Sequence, residues 1–232
     1  MIRGRRPNDD RIQTTDRSGY PVGSATGGAI GVRDILANNR AWAASRLTQD
    51  PDFFSRLSEG QNPSILYIGC SDSRVTAEEM MGLGPGEAFV LRNISNTASR
   101  GDVGAAAVID LAVSELGVDD IVVCGHYLCG GIEAAMRPPL EGPLDIWLQT
   151  IRDIYHRHAV ELDAVADPDA RLRRLVELNV VEQCRNVMEF DAVDRARRSG
   201  GLGVHGWVFD IAAGRLIDLD IGDSVEPGGA SG

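Results

Sequence analysis

The sequence predicts an α/β fold: a mostly parallel central β-sheet flanked by helices, with an N-terminal helical arm and an edge hairpin. Three observations predict it. Two short apolar runs, residues 64–68 and 120–124, are each closed by a glycine and read as strands buried on both faces. Stretches of helical spacing alternate with them, over 103–116, 143–158 and 169–198. Near the C-terminus, 204–209 and 215–219 lie close enough to pair as an antiparallel hairpin at one edge.

Taken in order, Ile30, Ile35, Leu36, Trp42 and Leu47 fall at loosely helical spacing, and 52–57 gives a second short helix, which together make the arm. Pro63 opens the first strand and Gly69 closes it. Thr76, with Glu78 and Glu79 in the first turn, starts a brief helix to Met81, and Gly84-Pro85-Gly86 then forces a turn. Residues 88–91 form the next strand. The helix over 103–116 ends at Gly117, and the strand over 120–124 ends at Gly125. The helical stretch over 169–198 is expected to break within its length.

A chain of 232 residues fits one domain, placed at 29–222, with 1–28 and 223–232 as flexible tails. The leader carries Arg3, Arg5 and Arg6 and then turns polar and glycine-rich, with no apolar stretch of the kind an export signal needs. A net charge of -11 argues against nucleic acid and against an anionic membrane surface, since both would be repelled. Four cysteines point to thiols acting as metal ligands or buried apolar groups in a reducing compartment, and a cytoplasmic location is expected.

Polar chemistry comes directly after two of the strands. Cys70-Ser71-Asp72-Ser73-Arg74 lies after the first, and His126-Tyr127-Leu128-Cys129-Gly130-Gly131 after the third. Parallel strands deliver the segments at their carboxyl ends to one edge of the sheet, where ligands bind in such folds. A His-x-x-Cys pair and a single Cys from another strand end supply three ligands, Cys70, His126 and Cys129, for a tetrahedral zinc with its fourth position open. An open position marks a catalytic zinc. Asp72 accepts a hydrogen bond from the group that fills it, and Arg74 holds that carboxylate in a bidentate pair. Asp72 is also the alternative fourth ligand, while Cys124 and Cys184 read as buried apolar groups and His156, His158 and His205 as surface or packing residues.

Gly-Cys-Ser-Asp-Ser-Arg-Val at 69–75, Pro-Gly-Glu-Ala-Phe-Val-Leu-Arg-Asn at 85–93 and Cys-Gly-His-Tyr-Leu-Cys-Gly-Gly at 124–131 resemble the β-carbonic anhydrase family. The resemblance continues through 177–183 and 204–210 and spans about 33–221. It implies reversible hydration of carbon dioxide to bicarbonate, zinc on Cys70, His126 and Cys129, and an Asp72–Arg74 dyad that admits hydroxide to the metal. It further implies that Gln61 donates a hydrogen bond to substrate and Phe89 walls an apolar pocket, both across a dimer interface, with Gly130 offering a backbone amide. Self-association as a dimer or tetramer is implied as well. Some members of the family carry a bicarbonate-responsive switch. Val75 and Arg92 match that subgroup, whereas Tyr67 stands where tryptophan is usual and Phe209 where tyrosine is usual. Leu91 replaces a common histidine and Leu128 a common glycine.

Three other readings use the same residues. A hydrolase of carbonyl sulfide or carbon disulfide would keep the fold and the metal. A zinc-bearing binding module would hold Asp72 permanently on the metal. A cysteine phosphatase would use Cys70 as nucleophile, but that loop needs five residues between its Cys and Arg, whereas three separate Cys70 from Arg74.

Overall fold

Strands rich in Ile, Val and Leu need cover on both faces, and the sheet built from them is enclosed accordingly. The computed structural model describes residues 31–139 and 141–221. The expected tails at 1–28 and 223–232, and Ile30 at the start of the arm, lie outside the described residues. β1 (Ile65–Cys70), β2 (Ala88–Asn93), β3 (Asp120–His126), β4 (Gly203–Asp210) and β5 (Arg215–Asp218) form one sheet in the order β2-β1-β3-β4-β5. The first four run parallel and β5 returns antiparallel on β4, the expected edge hairpin.

Alternate residues of the central strands face opposite sides, as the period of two requires. Leu66, Ile68, Ile121 and Val123 enter the large core with Leu148, Ile151, Leu175 and Val180 from helices. Tyr67, Val122 and Cys124 face a smaller core closed by Ala77, Met80, Trp207 and Phe209.

From the sequence β1 and β3 are expected to end at glycine, but both strands run on through Gly69 and Gly125 to finish on Cys70 and His126. Each glycine marks a close approach rather than a stop. A Cβ on Gly69 would lie 2.2 Å from Cε1 of Tyr67, and one on Gly125 would lie 2.6 Å from Cγ2 of Val180. The chemistry-bearing Cys70 and His126 are therefore strand residues, held by ladder hydrogen bonds.

Helices fill the connections. α1 (Val32–Gln49) and α2 (Phe53–Ser58) belong to a compact unit that ends at Gly60, and the unit from Gln61 onward holds the sheet. Within the first unit, Trp42 meets Phe53 and Phe54 edge-on, with the Arg46 guanidinium over the rings of Trp42 and Phe53. In the second unit, α3 (Ala77–Met81) comes after β1. α4 (Val103–Asp110) starts at Asp102, whose carboxylate accepts from the N–H of Gly104 at 2.8 Å and of Ala105 at 3.3 Å. The single helix expected over 103–116 instead widens into a π turn at Leu111–Glu115, with the N–H of Leu116 on the carbonyl of Leu111 at 3.0 Å.

α5 (Gly130–Ala135) and α7 (Ala159–Asp163) are not expected from the sequence, since both are short and α5 opens on two glycines. α6 (Pro143–Arg157) and α8 (Pro168–Met188) each begin with proline at the first helical position, and Asp167 caps α8. The expected break in the last helical stretch falls at Glu189 and Phe190, and α9 (Asp191–Arg198) lies beyond it. Among the described residues, no helix is long and apolar enough to cross a membrane.

Candidate metal centre

β1 and β3 are neighbours in parallel register, so their carboxyl ends deliver Cys70 and His126 side by side, and the turn after β3 returns Cys129 toward both. The three donor atoms lie within 4.8 Å of one another, and all three residues are buried. Two thiolates about 2.3 Å from a tetrahedral zinc stand roughly 3.8 Å apart. The sulfurs of Cys70 and Cys129 are separated by 3.9 Å. His126 supplies the second test of fit: its Nδ1 lies 3.0 Å from the carbonyl of Tyr127, which fixes the ring with Nδ1–H donating. Its Nε2 is buried with no hydrogen-bond partner. The residues fit zinc.

The sulfur pair is electrostatically asymmetric. The Cys129 thiol hydrogen-bonds to Cys70 and draws the Cys70 thiol well below its ordinary value, against the cost of burial and with help from His126 and the backbone N–H groups of Ser95 and Asp72. Cys129, which keeps the proton, is pushed up by that same hydrogen bond and by burial. Cys124 faces the other side of the sheet, where burial pushes its thiol up to about 12, and burial raises Cys184 as well. Neither belongs to the ligand group.

Asp72 closes on Arg74 rather than on the ligand group. Its Oδ1 accepts from Nε of Arg74 at 2.9 Å and from the Arg74 backbone N–H at 3.0 Å, and its Oδ2 accepts from Nη2 at 2.7 Å. Those side-chain bonds hold the Asp72 carboxyl well below the usual carboxylate range, with partial burial opposing them. Asp72 Oδ2 is 3.8 Å from Nε2 of His126, so the carboxylate stands beside the ligands while paired elsewhere. Arg92, from β2, secures this loop from below by donating to the carbonyls of Cys70 at 2.9 Å and Asp72 at 2.7 Å.

Two other sequence-predicted residues, Gln61 and Phe89, lie where a single chain does not bring them together with the ligands. Gln61 is exposed on the segment before β1, and Phe89 pairs with Leu66 in β2, four register steps from the Asn93–Cys70 pair. At about 3.3 Å per residue, β1 alone spans roughly 17 Å, so Gln61 and the triad sit toward opposite ends of it. Gly130 opens α5 directly after Cys129, and a Cβ there would meet open space. Leu128 adopts φ 62°, a left-handed conformation, and its carbonyl accepts from Nη2 of Arg74 at 3.1 Å. Tyr67 is fully buried with its hydroxyl unpartnered, and Phe209 packs against the same small core.

One residue absent from the sequence-predicted set reaches the ligands. Ser95 is fully buried, adopts φ 64°, and sets its hydroxyl 3.8 Å from the Cys129 sulfur. The segment that carries it is tied down by α8 and α6. Asn179 donates to the carbonyl of Ser95 at 3.0 Å, Gln183 accepts from the N–H of Ala98 at 2.9 Å, and Trp147 donates to the carbonyl of Ile94 at 2.8 Å. Asn179 and Gln183 fall within the 177–183 stretch that the resemblance covers, but their role emerges only with the contacts.

Comparison with known proteins agrees with this geometry. The family model described as Carbonic anhydrase matches residues 65–216. A carbonic anhydrase of Emericella nidulans is 52% identical over 188 residues, covering 81% of this chain and 82% of that protein. One from Candida albicans is 31% identical over 214 residues, covering 91% of this chain and 75% of that protein. Among solved structures, one of two tetrameric β-carbonic anhydrases of Sordaria macrospora superposes with a TM-score of 0.78 at 42% identity, covering 81% of this chain and 95% of that one. A β-carbonic anhydrase of Aspergillus fumigatus gives 0.79 at 39% identity, with 82% and 91% covered. Fold, ligand geometry and relatives converge, and the chain belongs to the β-carbonic anhydrase family.

Proposed function

We propose that this chain carries out the family's reversible hydration of carbon dioxide at a zinc held by Cys70, His126 and Cys129, with Asp72 and Arg74 governing what occupies the fourth position. The observation that carries the reading is the buried, unpartnered Nε2 of His126 beside two sulfurs at zinc-compatible spacing, with Asp72 turned onto Arg74. Bound there, zinc supplies Lewis-acid activation of water for attack on carbon dioxide.

The protein's own groups supply selection. Asp72, kept ionised by Arg74, is an acceptor only, so it favours a ligand that brings a hydrogen and disfavours one that brings a bare lone pair. Two thiolates cancel the formal charge of the metal, which makes these neighbouring dipoles matter more than in a site of neutral ligands. The bidentate Asp72–Arg74 pair favours this reading over a binding module with Asp72 fixed on the metal. Gly130, open to approach, is assigned a backbone contact to substrate.

Gln61 and Phe89 are assigned to the pocket of a second copy of the chain. Their distance from the triad within one chain supports that assignment, as do the tetrameric relatives from Sordaria macrospora. Cysteines that are all free and buried support a reducing, cytoplasmic setting. The deciding experiment measures carbon dioxide hydration by stopped flow on protein of known zinc content. Activity that tracks zinc and disappears with it in Cys129→Ala is expected; a zinc-replete protein no faster than buffer across neutral and alkaline pH would overturn the reading.

A further inference from the structure

A metal-bound thiolate has no proton to give, so any hydrogen bond between Ser95 and Cys129 in the loaded protein must run from the serine hydroxyl to the sulfur. The hydroxyl stands ready for it. Its oxygen lies 3.8 Å from the Cys129 sulfur, and Ser95 is fully buried, so no water competes for the donor. Gly131 makes the room: a Cβ there would fall 2.3 Å from the Ser95 hydroxyl oxygen and displace it.

The placement comes at a conformational cost. Ser95 and Asn96 both occupy the left-handed region, with φ 64° and 49°, a conformation that asparagine tolerates but that the Cβ of a serine disfavours. Such backbone persists only where its surroundings over-determine it. Here Asn179 holds the Ser95 carbonyl, and Gln183 holds the N–H of Ala98 while donating to Asn179 Oδ1 at 3.0 Å. A glycine at 95 would give the same loop without strain. A serine in that place implies that the hydroxyl has a use.

We infer that Ser95 is a positioning residue for the metal centre, its hydroxyl donating to the Cys129 thiolate, and that the amide pair Asn179–Gln183 of α8 aims it. The inference rests on the zinc reading above. Hydrogen bonds to a thiolate draw electron density from sulfur, so Ser95 moderates how strongly two anionic ligands quench the metal's pull on its fourth ligand.

The experiment uses the full-length protein loaded with cobalt(II) in place of zinc, in wild type, Ser95→Ala and Ser95→Gly. The sulfur-to-cobalt charge-transfer absorption reports the electron density on the thiolates. Both variants are expected to move that band to longer wavelength by a similar amount, and to weaken zinc binding in chelator competition by about tenfold. Ser95→Gly is expected to unfold at or above the wild-type temperature, because glycine relieves the left-handed conformation. That variant separates the two roles. If Ser95 served only to shape the loop, Ser95→Gly would keep the wild-type band and affinity, and the inference would fall. A band unmoved in both variants would also overturn it. Failure of wild-type protein to take up either metal would overturn the zinc reading and this inference with it, whereas a loaded wild type with an insensitive band would sink this inference alone.

Discussion

Arg74 reaches from the loop after β1 to the carbonyl oxygen of Leu128, 3.1 Å from its Nη2, while the same nitrogen holds Asp72 Oδ2 at 2.7 Å. One guanidinium thus ties together the two segments that carry the ligands. Arg74→Ala frees both ends, and the hydration rate is expected to fall on the order of 10²-fold, the scale of losing a group that orients the surroundings of a metal.

The same variant has a pH signature. Arg74 depresses the folded-state pKa of Asp72, so the pair contributes stability above the unfolded carboxyl value, near 3.9, and loses it as pH falls further. Because the arginine is half exposed, that contribution is about 0.5–1 kcal/mol. Urea unfolding should show wild type ahead of Arg74→Ala at pH 7 and the gap narrowing below pH 4. A gap that stays constant would assign the loss to packing.

Much of this centre is legible in the chain because its ligands sit next to strong local signals. The runs ending at Ile68 and Cys124 announce buried strands, and parallel strands place their carboxyl-terminal loops on one edge. Gly69 and Gly125 read as stops in the sequence because their reason lies elsewhere: Tyr67 folds back over one, and Val180, 55 residues further along the chain, packs on the other. Ser95 leaves no trace for the same reason. Its partners Cys129 and Asn179 are 34 and 84 residues away, and a serine among Ile94 and Asn96 has no periodicity that separates it from a turn.

The amides of α8 are expected to support the centre at a distance. Gln183→Ala leaves the N–H of Ala98 and the Oδ1 of Asn179 without partners in a fully buried setting. Each abandoned buried group costs about 1–3 kcal/mol, so a loss of roughly 2–4 kcal/mol is expected in denaturant unfolding. Zinc affinity should weaken in the same variant. Unchanged stability would mean that water replaces the amide.

Metal binding should release a proton that the sulfur pair retains. With Cys70 drawn down and Cys129 pushed up by their shared hydrogen bond, the metal-free pair holds one proton near neutral pH, and a zinc bound to both sulfurs expels it. Affinity should then rise about tenfold per pH unit between 7 and 8. Calorimetric titration in two buffers of different ionisation enthalpy counts the proton directly. Release of none would show that both thiols are ionised before the metal arrives.

Leu128 offers the last test, because it carries a left-handed φ of 62° with a side chain 57% exposed. The conformation costs a leucine roughly 1–2 kcal/mol, whereas glycine avoids that cost and loses about 0.5–1 kcal/mol of chain entropy on folding. Leu128→Gly should therefore leave the protein equally stable or better by up to about 1 kcal/mol, with the carbonyl still on Arg74 and the hydration rate within a few-fold of wild type. Unfolding midpoints and stopped-flow rates measured on the same preparation check both halves. A loss of stability would instead show that the contacts of the leucine side chain outweigh the relief of its left-handed backbone.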